Sequence, residues 1–399
     1  MRTNIFLPKE KDMRNSWKNL IHHSLHPKTD LLYGHTITDG HGFPTAEEIV
    51  ACRPNPCGYG TGLDDCMIDS STMLDACLCR YEQDGSEEAA TLAKRLAGGL
   101  LRCAAAAKSE GFIPRGLSPI DGTSHYPDSS RDQYTMLVFG LYRYLRSPLC
   151  NAQEQAAIAE ALVRVARRCE KNVTKETGYD LLREDGGPSL YTTMWGDTLG
   201  NHEHCRLPMI YLAAWRASGD SHWLSLYQEK RDEALAHSLP MSSYWHLYAL
   251  QQMQCALWIC RDAEQEKGYQ ERYTTVMQEV AAYALSCVVK TQSAIERITT
   301  LPSQATDYHT LRWEEKKNEK WGRLPSLYPC GSNNTDDFYL VQDAPNILIV
   351  ASLAGISATA EALALFSRAY ATILPDRYYG TAAVHFLSAY YRTKQKHER

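Results

Sequence analysis

The sequence predicts an all-α chain: one domain over residues 1–399, about twelve helices paired into six hairpins and closed into an (α/α)6 toroid. Three observations carry this. Apolar residues recur at helical spacing in twelve successive segments. Period-two alternation between turn residues, the mark of strands, hardly occurs. The linkers alternate between short polar turns and long loops rich in Gly, Pro and aromatics, and long loops in a compact domain are usually functional.

The helical segments fall at 12–25, 64–83, 87–108, 129–146, 152–172, 204–217, 221–236, 241–262, 266–290, 337–354, 358–373 and 381–393. The third is typical, with Leu92, Leu96, Leu100 and Cys103 on one face; the fifth repeats the pattern with Ile158, Leu162, Val165 and Cys169. "DGSEE" and "SGDSHW" are tight connections. Residues 33–63, 109–128, 177–203 and 322–336 are the long loops. "LLYGHTIT" (31–38) has room for a short strand, and "RWEEKKNEKWGR" (312–323) mixes both charge signs as a solvated connection. The helical pattern resumes after every linker, so no domain boundary is expected. No internal repeat marks a solenoid. In a toroid of hairpins the long loops gather at one mouth, and the first turns of the inner helices point their side chains into the central cavity.

With 42 basic and 47 acidic residues the net charge is −5, and no basic block or acidic tail stands out, so nucleic acid and anionic membranes are not expected partners. The 13 cysteines follow no spacing pattern, contain no CxxC and several lie on apolar helix faces, which suggests buried thiols in a reducing compartment rather than a disulfide framework or a zinc site. The N-terminal stretch lacks the apolar core of a signal peptide, and no apolar run approaches the roughly 18 residues of a membrane span. The chain as written therefore reads as cytoplasmic; a periplasmic chain whose leader had been removed would read the same. A homo-oligomer is compatible with the sequence. GxSxG, Walker A, strand-borne GxGxxG and HExxH motifs are absent, and no cofactor or metal is expected.

Four loop-to-helix junctions concentrate polar chemistry. In "HYPDSSRDQYT" the cluster is His125, Tyr126, Asp128, Arg131, Asp132 and Tyr134. Asp128 fits an N-cap, whereas Asp132 lies a turn further on the same face. In "GYGTGLDDCMIDSS" a Gly-rich loop delivers Asp64 and Asp65 to a second helix start, with a doubly capped helix as the plain alternative. Together the two junctions could supply the paired carboxylates of glycoside cleavage. In "REDGGPSLYTTMWGDTLGNHEHCRLP" Tyr191, Trp195, Asp197, His202, Glu203 and His204 combine aromatic faces with polar groups, as sugars require. The His-Glu-His triplet lacks a third metal ligand at a recognisable spacing. In "CGSNNTDDFYLVQDAPN" one Asx residue accounts for a cap, and the others, Asn334 among them, could line the mouth.

Helical hairpins with acidic Gly-rich loops at inner-helix starts resemble the six-hairpin glycosidase superfamily. "GYGTGLDDCMIDSSTML", "GFIPRG" with "HYPDSSRDQYT", and "MWGDTLGNHEH" look most like its uronic-acid enzymes: unsaturated glucuronyl and rhamnogalacturonyl hydrolases and (α/α)6 exo-β-glucuronidases. The resemblance implies an Asp that donates a proton and a second Asp on a neighbouring helix, matched by position to Asp132 and Asp65 or Asp64. The local motifs around both carboxylates depart from the unsaturated-uronyl pattern, which leaves ordinary glycoside hydrolysis open. A uronate carboxylate needs a cation, and Arg131, Arg115, Arg53 and His125 lie in the right loops. The expected activity is hydrolysis at the non-reducing end of a uronate-containing oligosaccharide. The catalytic candidates are Asp132, Asp65, Asp64 and Glu203. His125, Tyr126, Asp128, Arg131, Tyr191, Trp195, Asp197, His202, His204 and Asn334 are the candidates for binding substrate. The alternatives are a polysaccharide lyase with a Tyr or His base, and a non-catalytic glycan-binding protein.

Overall fold

The computed structural model describes residues 7–34, 42–241, 247–298, 309, 312, 314–318, 322–325, 335–372 and 381–397. Six helices form an inner ring: α3 (Cys66–Asp84), α5 (Arg131–Leu145), α7 (Arg206–Ser218), α9 (Tyr248–Ala263), α12 (Thr335–Leu353) and α14 (Thr381–His397). Each packs on the next, and α14 packs back on α3, so the ring is closed. Outside it lie α1 (Glu10–Ser24), α4 (Glu87–Ala106), α6 (Ala152–Asn172), α8 (Ser221–His237), α10 (Lys267–Ser286) and α13 (Ala360–Thr372). The expected all-α toroid of hairpins is therefore the architecture. Two short helices, α2 (Ala46–Val50) and α11 (Val288–Ile295), add to the twelve.

Burial explains which helices are inner. Along α5 every residue from Gln133 to Tyr142 is buried, whereas α8 buries only Trp223, Tyr227, Ala234 and Leu235. A helix apolar on all sides needs neighbours all round; an amphipathic one can face water. The boundaries have local causes. Asn151 and Glu154 form a reciprocal capping box at the start of α6, and the Ser86 hydroxyl accepts from Ala89 N at the start of α4. Gly85 (φ 66°) and Gly219 (φ 77°) end α3 and α7 in the left-handed conformation. Gly140 lets α5 approach α3, since a Cβ there would lie 2.6 Å from the Ser71 hydroxyl.

At the end of the ring away from the inner-helix starts, Asp75 of α3 ties three inner helices together. Its carboxylate accepts from Arg143 Nε of α5 (3.1 Å), from Arg392 Nε of α14 (2.5 Å) and from the Ser388 hydroxyl (3.2 Å). Burial alone would raise the Asp75 pKa, but Arg392 and Arg143 outweigh it and hold the carboxyl below its ordinary range.

Three expectations are corrected. The segment 266–290 is not one helix: it breaks at Cys287, where α10 gives way to α11. The charge-rich connection carries a two-stranded antiparallel hairpin, β1 (Glu315–Asn318) with β2 (Gly322–Pro325). The proposed strand after Leu31 is reduced, among the described residues, to a single bridge between Leu25 and Leu32. No helix among the described residues is long and apolar enough to cross a membrane.

Candidate active site

The first turns of the inner helices meet around a solvent-open cavity, with about 660 Å³ of atom-free space counted out into its mouth. Asp65 and Ile68 come from the start of α3, and Ser130 and Asp132 from the start of α5. Tyr248, Gln251 and Gln252 come from α9, Tyr339 and Gln342 from α12, and His385 from α14; Tyr59 and Arg115 enter from the loops. The sixth inner helix, α7, reaches the site through Arg206, which pairs with Asp132. Helix N-termini carry partial positive charge, so this end of the barrel favours anions.

Asp65 occupies the N-cap position of α3, yet its side chain makes no capping bond. Its Oδ1 instead accepts from Gln133 Nε2 of α5 at 3.0 Å and lies 3.7 Å from an Arg115 nitrogen. Burial, the neighbouring Asp64 charge and Asp132 together lift its pKa to about 7, against the opposing pull of Arg115 and Gln133. Asp132 behaves oppositely. Burial would raise it, but Arg206, Arg131 and Arg115 outweigh that and hold it below the ordinary carboxylate range. One cavity thus holds a carboxyl that keeps its proton near neutrality and another that stays ionised. Both side chains remain about 30% accessible.

The Arg115 guanidinium is buried and donates to two carbonyls, Asp64 O (3.1 Å) and Ser129 O (3.3 Å). Its central carbon lies 4.5 Å from the Tyr59 ring centroid. When Asp65 is protonated, Arg115 presents a cation to the cavity.

The other expected residues divide. Asp64 contributes its carbonyl to Arg115 and Gln133 and its charge to Asp65, but its side chain is not among those lining the cavity. Asp128 is not the N-cap of α5: that is Ser130, whose hydroxyl accepts from Gln133 N. Asp128 is sealed under the loop, accepting from the Cys57 thiol (3.2 Å) and Ser129 N (2.9 Å), and burial raises its pKa. Arg131 lies 2.5 Å from Glu203 and donates to Thr193 O at 3.0 Å, so its charge is already balanced. Burial would raise the Glu203 pKa, but Arg131 and Arg206 outweigh it and hold it low, the opposite of what a proton donor needs. His202 stands 3.7 Å from Glu203, its pKa pushed down to about 4 by burial and by Arg206.

His125 pairs with Glu184 at 2.9 Å, and the Tyr126 hydroxyl donates to Arg53 O. Tyr191 packs edge-on against Tyr59, ring centroids 6.3 Å apart, which puts it beside the cavity wall. Trp195 is buried with the Lys230 ammonium over its ring, and His204 stacks on His237 at 4.8 Å; neither lines the cavity. Asp197 is exposed to solvent. Asn334 lies outside the described residues.

Arg206, Gln133, Gln251, Gln252, Gln342 and His385 were not anticipated. Each is buried and polar in an otherwise apolar inner helix. That anomaly is legible in "YALQQMQCALW" and "TAAVHFLSAYY", because a buried amide or imidazole without a reason is costly. His385 Nδ1 is 2.8 Å from Asn346 Oδ1, and burial pushes its pKa down to about 3. The side-chain oxygens of Gln251, Gln252 and Gln342, and His385 Nε2, have no partner among the described residues.

Among the described residues no three His, Cys, Asp or Glu side chains gather as a metal site. No protein-family model matches the chain, and no curated protein matches it in sequence.

Proposed function

We propose that the chain is a glycoside hydrolase acting on a uronate-bearing sugar unit, with Asp65 as the general acid and Asp132 as its ionised partner. The observation that supports this is the split titration of two carboxyls in one cavity: Asp65 at about 7 and Asp132 below the usual range. Glycoside cleavage needs that division of labour, a proton for the departing oxygen and a carboxylate to assist water or the cationic sugar. The roles are the reverse of those that the resemblance implies, where Asp132 would be the donor. Arg206 holds Asp132 ionised and fixes its orientation, which suits an electrostatic or nucleophilic role better than strong general-base work.

Arg115 is the cation for a substrate carboxylate, because Arg131 is already balanced by Glu203. Gln251, Gln252, Gln342 and His385, polar side chains that line the cavity, suit a ligand rich in hydroxyls. β-Elimination is a weaker reading: Tyr126 and His125, two of the bases it could use, are engaged with Arg53 O and Glu184.

The test is release of the aglycone from aryl glucuronides and galacturonides, and consumption of unsaturated uronyl disaccharides, beside the matching neutral hexosides. Uronides should be preferred, and Asp132→Asn should lose several orders of magnitude in kcat while its circular dichroism is unchanged. Preference for neutral hexosides, or appearance of a new unsaturated uronide instead of its loss, would overturn the assignment.

A further inference from the structure

A second, solvent-open groove, with about 630 Å³ of atom-free space counted out into its mouth, lies on the outer wall where α6 ends, bounded by residues 109–110 and 182–186. Because α6 runs antiparallel to its inner neighbours, this groove sits at the end of the barrel where α7 begins, the same end as the candidate active site. Arg167, Arg168, Lys171 and Arg183 line it, together with Glu110 and Glu184, so cations outnumber carboxylates. We propose that this groove is an oxyanion-binding site, taking a carboxylate or sulfate group of an acidic oligosaccharide, or a free inorganic oxyanion, outside the catalytic cavity.

Charge within the groove is unevenly paired. Arg167 is paired with Glu110 (3.2 Å), Arg183 with Asp185 (2.5 Å), and Glu184 with His125 (2.9 Å). Arg168 and Lys171 have no carboxylate partner among the described residues. Arg168 is only 5% exposed, so its charge is largely removed from water. It donates to the Ser109 hydroxyl (2.7 Å) and to the carbonyls of Glu110 (3.4 Å), Leu182 (2.9 Å) and Arg183 (3.1 Å), all neutral oxygens. Its Nε is buried with no partner.

A buried guanidinium is normally matched by an anion; here every Nη hydrogen is spent on a neutral oxygen, so an oxyanion would be drawn by the net charge and would displace the weakest of these bonds, the one to Glu110 O. The negative end of the α6 dipole favours an exposed cation in its last turn, Lys171. It does not account for a sequestered Arg168 beside an open cavity. Lys171 follows Arg168 by three residues, on the same face of α6, so two cations without a carboxylate partner border one groove. This inference does not depend on the proposed hydrolase activity.

The experiment is titration calorimetry of the full chain with sodium sulfate, sodium phosphate and a saturated diuronate, in wild type, Lys171→Glu and Asp132→Asn. Lys171 is exposed, so its reversal leaves the fold intact; Arg168→Lys, checked by melting, keeps the charge but removes the fork. Sulfate should bind wild type and Asp132→Asn equally and Lys171→Glu about five- to tenfold more weakly, the scale of reversing one exposed charge. Arg168→Lys should weaken it as well. If the diuronate binds more tightly than sulfate with the same sensitivity to Lys171→Glu, the groove serves a glycan. If only the inorganic ions show that sensitivity, it serves a free oxyanion. No binding, or binding indifferent to both Lys171→Glu and Arg168→Lys, overturns the proposal.

Discussion

Asp65→Asn removes the proposed proton donor while keeping the shape of the side chain, and its consequences can be worked out from the site. An ordinary Asp has a pKa of about 3.9, so at pH 7 it would be about a thousandth protonated. Asp65 at about 7 is half protonated there. The wild-type kcat/KM should therefore be level from about pH 5 to 6.5 and fall about tenfold per pH unit above 7. The acid limb belongs to Asp132 and should lie below pH 4 or so, because Arg206 holds that carboxylate down. A general acid typically contributes about 10²–10⁴-fold, so at pH 5 Asp65→Asn should lose that factor on an alkyl uronide. It should lose far less on a nitrophenyl uronide, whose leaving group departs without a proton. The alkaline limb should vanish in the variant. Gln133→Ala should move that limb to higher pH, because the amide donates to the Asp65 anion, and Asp64→Asn should move it to lower pH by removing a like charge. Stopped assays from pH 4 to 9 with both substrates measure all of this. The reasoning is refuted if the wild type shows no alkaline limb, or if Asp65→Asn keeps more than a tenth of its activity on the alkyl substrate at pH 5.

Other outcomes follow from the same geometry. Since the folded-state pKa of Asp65 is raised, the native chain holds an extra proton between about pH 4 and 7 and loses stability as pH rises through that window. The melting temperature of Asp65→Asn relative to wild type should accordingly climb from pH 4 to 8; a constant difference contradicts the assigned shift. Asp75→Ala leaves Arg392 buried without its anion and Arg143 with only Glu82, at 3.6 Å, which should cost about 3–5 kcal/mol, or roughly 4–6 °C in Tm for a chain of this size, measured by calorimetry. Because the Asp75 pKa is depressed in the fold, its stabilisation is present above about pH 4 and lost as pH falls through the lower folded value, so the gap between wild type and Asp75→Ala should close in acid. Arg115→Met should lower kcat/KM for a uronide about ten- to a hundredfold while changing a neutral glycoside much less, the contrast expected of a charge-assisted contact. Glu203→Gln should reduce kcat far less than Asp132→Asn, since Glu203 supports Arg131 and does not line the cavity.

The sequence by itself determined most of the helices and their pairing, because helix formation is read from spacing within one segment, though it missed α2 and the break at Cys287. The 3.6-residue period of Leu92, Leu96 and Leu100, the Asn151–Glu154 capping box and Gly85 and Gly219 act within a few residues of where they stand. It also singled out Asp65 and Asp132, since two loops that each deliver carboxylates to a helix start are visible without a fold. Only the tertiary structure decided their protonation. Burial, Asp64 and Asp132 act on one carboxyl, while Arg206, 74 residues away along the chain, acts on the other. A pKa is set by every charge within a few ångströms, whatever its place in sequence. The same reason separated the expected binding residues. Asp128, Trp195 and Asp197 sit in polar loops that look alike in sequence, yet one is sealed against Cys57, one is buried beneath Lys230 and one faces solvent. Gln251, Gln342 and His385 come from three helices spread over 135 residues and meet only because the ring closes.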